Sequence, residues 1–564
     1  MNTIRFGALP SRLSRQIQDC FANLSFCLLL FAVLPARANV CATHIQVNGG
    51  NGNGDTAPGG LIRVNFILNE AATAGTTVRI FSGANLVRAI TIPAGGWGAL
   101  RGQNTVLWDL KDTNGVIVPY GNYSVSVTAA SLGFAAWTQI TSDANSGNYV
   151  FAPRGIAVNQ NTNSPYYGRV FVSNTTTGPH QATTPGDRIG ILKLNADGSP
   201  AEEGEYSDGG YLLWQGGTRS PYSPWKIAVS DDDYFYANDW SANGYILRFD
   251  QTISPGSFLQ VLRGDNWGNN GEANLTGPAV TGAGTNTQIW MADVNSPLSL
   301  GILKYGVTPN GDCATNDTGT VVVGLGGDMN LPPWGVAVDK QGAIYAIQQV
   351  DNPDDPNPRV LRFPPYDPST NSGVPEINAD WAVGVGDFRM CGAYGVAADP
   401  TGAYVAAAFQ GTQTPSGYTN GQTVVFFATN GLIATNIITG STNDHTDVCF
   451  DNVGNLYDLD NAAHIWRAYS PPGPNQSTTT PSGQTIRVLA VPYITSVVSG
   501  DTNVLVNFDA PLTNTASQFF LQSAPALGGF LTDVTATVIQ INPGLFQAAT
   551  GPGGSNQFYR IRRQ

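Results

Sequence analysis

One pattern recurs six times in the middle of this chain, and it constrains the fold more than any other feature. Each copy is a short apolar run followed, after a turn, by a second run that ends on a polar residue. Pro333-Trp334-Gly335-Val336-Ala337-Val338-Asp339 with Gly342-Ala343-Ile344-Tyr345-Ala346 is the clearest copy. Pro153-Arg154-Gly155-Ile156-Ala157-Val158 with Val170-Phe171-Val172-Ser173-Asn174 is the first, and Thr446-Asp447-Val448-Cys449-Phe450-Asp451 with Asn455-Leu456-Tyr457-Asp458 the last. Marked at Gly155, Lys226, Gly277, Gly335, Gly395 and Asp447, successive copies lie 71, 51, 58, 60 and 52 residues apart. A third run often follows, as in Arg359-Val360-Leu361-Arg362-Phe363. A β-meander cannot bury its faces alone, so units repeating at this period stack on one another. The expected fold class is therefore all-β, a six-bladed β-propeller with loops of unequal length. Trp137-Thr138-Gln139-Ile140-Thr141 offers a strand to close the ring.

The trace Gly-[Ile/Val]-Ala-Val-Asp followed by Gly-x-[Ile/Leu]-Tyr-[Val/Ala] resembles NHL-repeat and gluconolactonase-like six-bladed propellers, over about residues 145–491. That resemblance implies a binding face around the channel mouth and, for the gluconolactonase-like members, a calcium ion in the channel. Those enzymes also take an acidic ligand from the inner strand of the first blade, where this chain has Arg154-Gly155.

Two small β-sandwiches are expected to flank the propeller. Residues 61–130 alternate in period two, as in Ile62-Arg63-Val64-Asn65-Phe66 and Ser124-Val125-Ser126-Val127. Their second half, Trp108-Asp109-Leu110-Lys111-Asp112-Thr113-Asn114-Gly115 and then Val118-Pro119-Tyr120-Gly121-Asn122-Tyr123, resembles the immunoglobulin-like module of the flagellar hook-cap family. The resemblance implies a spacer, with Trp108 in its core and Tyr123 at its corner. Residues 492–564 alternate again and read as a second sandwich whose last strand turns Phe558 and Tyr559 inward. The division is thus a signal peptide over 1–38, a linker over 39–60, the first sandwich over 61–130, the propeller over 131–491 and the C-terminal module over 492–564.

The leader carries Arg5, Arg12 and Arg15, an apolar run from Phe26 to Leu34, and Ala36-Arg37-Ala38, the small-x-small pattern of a cleavage site. Cleavage after Ala38 predicts a secreted or surface protein beginning at Asn39; Asn39-Val40 before Cys41 does not make a lipobox. Removing four Arg and one Asp takes the net formal charge from −13 to −16. That balance argues against nucleic acid and anionic membranes as partners, since both demand a basic surface. No later run is long enough to span a bilayer. Of the cysteines left, Cys41, Cys313, Cys391 and Cys449, none forms a C-x-x-C pair. An oxidising compartment permits disulfides between loop cysteines such as Cys313 and Cys391, whereas Cys449 sits in a core strand as a buried thiol.

Blade geometry turns the repeat into a site map. The loop into each first strand and the loop from second to third strand share one face. Just before the marks stand Arg154, Trp225, Trp334 and Tyr394, which would stack a polymer at the channel mouth or wedge between blades. Asn238, Asp239 and Asp293 on the same face supply oxygen ligands suited to calcium. His180, His445 and His464 fall on neighbouring first and sixth blades, where three imidazoles would suit zinc or copper, or would be ordinary surface histidines. The Asp231-Asp232-Asp233 run reads as a solvated turn on the opposite face. No G-x-S-x-G elbow, H-E-x-x-H helix or P-loop occurs. Two readings follow: a non-catalytic module for an extracellular polymer or protein ligand, glycan or peptide, and a metal-dependent hydrolase or lyase of the six-bladed class.

Overall fold

Strands buried on both faces read as continuous apolar runs, because neighbouring side chains point to opposite sides and both sides meet protein. The computed structural model describes residues 39–563 except 57–59, 181–182, 212–213, 215–222, 241–244, 264–274, 295–298, 316, 349–358, 370–372, 385–392, 415–416, 420, 438–443, 489–491, 511–513, 527–528, 543 and 553–556. The expected leader and Cys391 lie outside the described residues. Among those residues the regular structure is strands and a few single 3₁₀ turns, with no helix long and apolar enough to cross a membrane.

The repeat forms six four-stranded antiparallel sheets. Sheet one contains Pro153–Val158, Val170–Asn174, Gly190–Leu194 and Tyr206–Ser207. Sheet two begins with Ile227–Val229 and Phe235–Asp239, sheet three with Leu275–Thr281 and Gln288–Asp293, and sheet four with Pro333–Val338 and Ile344–Gln348. Sheet five begins with Ala393–Ala398 and Tyr404–Phe409, sheet six with His445–Phe450 and Leu456–Asp460. The fourth strand of sheet six is Thr138–Gln139, which pairs with Ser470 and Tyr469 from the far end of the repeat region. First strands touch in cyclic order, with that of sheet six against that of sheet one. This is β-propeller character.

Alternation builds the core. Phe235 packs with Phe171 between sheets one and two, while its neighbour Tyr236 packs with Leu275 and Ile289 between sheets two and three. Ile344 and Tyr345 divide in the same way between sheets three and five, as Leu456 and Tyr457 do between sheets five and one. Each fully buried aromatic removes enough apolar surface from water to contribute about 2–3 kcal/mol, so the sheet-to-sheet contacts hold the ring together.

The aspartate run on the opposite face is a solvent-facing turn, as expected, that also bonds to its neighbours. Asp231 and Asp232 accept the backbone N–H groups of Gly282 and Gly284 in sheet three at 3.0 and 2.7 Å. Asp233 accepts the side-chain amides of Asn159 and Asn161 in sheet one at 3.0 and 3.1 Å. Three consecutive carboxylates therefore tie sheet two to both neighbours, because each short side chain sits one hairpin away from an unpaired donor.

The first sandwich is assembled from both ends of the repeat. Ala42–Val47, within the stretch expected as linker, is a strand paired with Ile62–Leu68. After the sixth sheet the chain returns as Gly473–Thr479 and Ile486–Val488, both paired with Gly121–Phe134. Ile486 and Val488 join the core around Val64, Val78 and Trp108. Trp108 meets Tyr123 edge-on at 5.5 Å, and the Tyr123 hydroxyl donates to the Pro119 carbonyl at 2.6 Å, as the core and corner roles require.

Residues 493–563 form a four-stranded and a three-stranded sheet around Phe508, Phe519 and Phe546. Its last strand buries Ile561 and packs Tyr559, partly buried, against that core as expected, whereas Phe558 is 42 % exposed, opposite to the expectation for it. Cys41, Cys313 and Cys449 are free thiols; Cys313 lies in a loop, as expected, between Ile302–Gly306 and Thr320–Val323, with its side chain packed in the core between sheets two and three.

Candidate functional site: the mouth of the ring

The residues just before the repeat marks are displayed by β-bulges. In sheet four Pro333 pairs with Gln348 and Gly335 with Ile347, leaving Trp334 as the extra residue. Tyr394 in sheet five and Thr446 in sheet six are extra in the same way, and Arg154-Gly155 together oppose Ser173 in sheet one. A bulge twists the strand and re-aims one side chain, which is why a sequence position repeats as a surface position.

Three of the four expected ligand-binding residues come together. The Arg154 guanidinium lies 5.5 Å above the Trp225 ring, Trp225 meets Trp240 edge-on at 4.8 Å, and Trp240 lies 5.7 Å from Trp334. Tyr394 has its backbone in sheet five, but its side chain is outside the described residues. Trp225 itself is only 3 % exposed and donates to the Thr276 hydroxyl at 3.2 Å, so it wedges sheet two against sheet three. Trp240 and Trp334 are the half-exposed rings. Trp240 was not singled out from sequence, because it follows the second strand and lies outside the repeat positions; the signal was a Trp directly after the polar strand end Asn238-Asp239.

Past Arg154 the mouth continues through Asp444, which faces both Arg154 and Gln410. Burial pushes the Asp444 carboxyl up, while the Asn461 amide and the Arg154 charge pull it down. Around this rim four buried acceptors, Asn238 Oδ1, Gln348 Oε1, Gln410 Oε1 and Asp444 Oδ1, find no hydrogen-bond donor. They come from sheets two, four and five and the start of sheet six. Buried acceptors in native proteins are normally satisfied, so these are the polar atoms that this end of the ring leaves least well paired.

Below the rim the Lys226 ammonium meets Asp447 at 2.9 Å and also donates to the Thr446 carbonyl. The second Asp447 oxygen accepts the Ile156 N–H at 3.0 Å. Burial moves both groups toward neutrality, Lys226 down and Asp447 up, and each partner's charge opposes that. From this pair a cavity of about 520 Å³ runs between the Val and Ala walls of the first strands toward Asp231, Asp339 and Lys340 on the opposite face. Gly155 lets sheets one and two approach here: a Cβ on it would stand 2.6 Å from the Trp225 carbonyl oxygen. Gly155→Ala is expected to cost about 1–3 kcal/mol, seen as a lower thermal midpoint by calorimetry.

The expected metal ligands are otherwise engaged. Asp239 accepts the hydroxyls of Ser223 at 2.7 Å and Tyr211 at 2.8 Å, and Asp293 accepts the Leu300 N–H at 2.8 Å. Asn238 presents its buried oxygen alone, and no group of three metal-ligating side chains occurs among the described residues. His445 is fully buried with Nδ1 2.8 Å from Asp458; burial lowers the imidazole, but the charge and hydrogen bond of Asp458 and the charge of Asp460 together raise it above its ordinary value. His464 stacks on Phe151 at 5.3 Å with Nδ1 on that residue's carbonyl, and the His180 side chain is outside the described residues. His445 and His464 share an end of sheet six but turn to different neighbours.

No family model and no curated protein matches this chain. Among solved structures it is similar to a Trichoderma reesei carbohydrate-active enzyme of family AA12, with 15 % identity over 63 % of this chain and 99 % of that one, at a TM-score of 0.37. It is also similar to the soluble aldose sugar dehydrogenase of Escherichia coli, with 9 % identity, 60 % and 99 % coverage and a TM-score of 0.35. The β-propeller domain of the Trilobed protease from Pyrococcus furiosus matches at 8 % identity, 64 % and 90 % coverage and a TM-score of 0.23. These likenesses are of fold alone.

Proposed function

We propose that this is an exported protein in which a six-bladed propeller, carried between two sandwich modules, binds an extracellular glycan at the ring mouth without catalysing its conversion. The observation that carries the reading is the pair of partly exposed rings Trp240 and Trp334, which stand at the strand ends that carry the acceptors of Asn238 and Gln348. Aromatic faces stack on the apolar faces of sugar rings, and hydroxyl groups supply the donors that those acceptors lack. The charges at the mouth are matched, Arg154 facing Asp444 and Lys226 facing Asp447, which suits a neutral ligand. A peptide satisfies acceptors less densely, because each residue brings one backbone N–H.

The test is a screen of neutral polysaccharides by glycan microarray, followed by calorimetric titration of the ligand found. Trp334→Ala and Trp240→Ala are each expected to weaken binding about tenfold or more while the thermal midpoint stays near the parent's. Unchanged affinity in the double variant would remove the mouth as the site. Trp225→Ala is not a clean probe, because that ring is part of the sheet contact and its loss reads as instability.

A further inference from the structure

The nitrogen at which the exported chain is expected to begin is enclosed. Asn39 is 2 % exposed, and its backbone N–H donates to the Ser470 hydroxyl at 3.0 Å. Its carbonyl accepts from the amides of Asn69 at 3.0 Å and Asn455 at 2.8 Å. Val40 is held by Asn475 and Ser477, and the Cys41 N–H donates to Asn69 at 2.8 Å. The segment is thus gripped at once by the first sandwich, sheet six and the strand that returns to the sandwich.

Three carboxylates gather around it. The Asn455 amide that holds the Asn39 carbonyl also reaches Asp451 Oδ2 at 2.7 Å. A Cβ on Gly454 would touch the Asn39 side-chain amide at 3.1 Å and Asp399 Oδ1 at 3.2 Å. Glu70 follows Asn69; its charge is felt by Cys41, and Glu70 in turn feels that of Asp451. The Glu70 oxygens are buried, with the Ser131 hydroxyl beside them, and Asn39 Oδ1 is buried without completing a hydrogen bond. The other ionisable groups facing the cluster are Cys41, Tyr167 and Tyr457, which burial keeps neutral. Arg101 is also near, its guanidinium held on the Asn69 and Asp197 carbonyls. Three buried carboxylates lying so close are costly without a cation.

We propose that cleavage after Ala38 makes Asn39 the amino terminus and that its α-ammonium is the cation this carboxylate cluster lacks, so that loss of the leader locks the first sandwich onto sheet six. The processing endopeptidase adds water across the Ala38–Asn39 amide, leaving a carboxylate on Ala38 and an amine on Asn39. That amine takes a proton, since an α-amino group has a pKa of roughly 8 even without neighbouring carboxylates. An uncleaved chain offers one neutral N–H at this point; the cleaved chain offers three donors and a positive charge.

The full chain exported from a bacterial host is analysed by intact mass and by amine labelling with a small acylating reagent at neutral pH. Asn39 is expected as first residue, with its amine labelled at least roughly tenfold more slowly in the native than in the unfolded protein, since labelling requires the interface to open. A second chain, with its cleavage site moved so that Ala38 is retained, is expected to melt several degrees lower. In the Asp451→Asn background that difference shrinks. A different first residue, a freely labelled native amine, or equal melting of the two chains would each overturn the proposal.

Discussion

Lys226→Ala is expected to be the most damaging single substitution in the ring, lowering stability by about 3–5 kcal/mol, because it leaves Asp447 buried without its counter-charge. Four of the six repeat marks are glycine, and the other two are this lysine and this aspartate. The glycines let the first strands crowd the axis: a Cβ on Gly395 would lie 2.6 Å from Asp447 Oδ1. Lys226 therefore reaches from sheet two, past Gly155 of sheet one, to sheet six, and the pair bridges the sheets that the closing strand must hold together. Both charges are largely shielded from water, so each depends on the other and on the Thr446 carbonyl and Ile156 N–H.

The pH signature has a definite sign. Asp447 is raised above its ordinary value, so the folded chain takes its proton more readily than the unfolded chain, and stability falls as pH rises through that interval. Lys226 is lowered, so the folded chain gives up its proton first, and stability rises with pH between the lowered value and the ordinary lysine value. Replacing both partners by apolar residues, Lys226→Met with Asp447→Leu, is expected to recover most of the loss and to flatten both slopes. The measurement is thermal unfolding of the parent and both variants from acid to alkaline pH. A single variant that melts with the parent would show that the pair is solvated and not a staple.

The six sheets were legible because their cause is local. A strand buried on both faces must be apolar at every position, and a hairpin must carry its turn residues, so Val170-Phe171-Val172 and Ile344-Tyr345-Ala346 declare themselves without reference to distant chain. The closing strand was legible for a weaker reason, since Thr138-Gln139 contributes only two paired residues. Completion of the first sandwich by Ile486 and Val488 left no local trace, because those residues pair with strands more than three hundred positions earlier. At the site, bulge position told which side chains are aimed at the mouth but not what meets them there. Trp225 and Trp334 occupy equivalent positions, yet Thr276 and Trp240 cover the first and leave the second half exposed. The histidines failed for the same reason: neighbouring sheets bring His445 and His464 near one end, but Asp458 claims one and Phe151 the other. Asp444 and Gln410 escaped notice because single polar residues at strand ends carry no motif.

Glu70→Gln is expected to stabilise a chain that retains residues before Asn39, by roughly 3 kcal/mol at pH 8, and to do so only above about pH 5. Burial lifts Glu70 from 4.5 to about 7, reinforced by Asp451 and opposed by the Ser131 hydroxyl. Burial likewise lifts Asp451 from 3.8 to about 7, reinforced by Asp399 and opposed by its own turn and by Asn455. Both are acids with raised folded values, so their stability contribution is complete below about pH 4 and is lost as pH climbs through 7. Glutamine keeps the shape and removes the charge, so the slope that belongs to Glu70 should vanish while that of Asp451 remains. In the chain that begins at Asn39 an α-ammonium stands among the same carboxylates, and the charge that was a cost becomes half of an ion pair. There Glu70→Gln should gain little or lose stability at pH 8, and the thermal midpoint should vary less between pH 5 and 7. Melting curves of the two chains, each with and without Glu70→Gln, separate these cases. A stabilisation of equal size in both chains would mean that the carboxylate does not feel the new amino terminus at all.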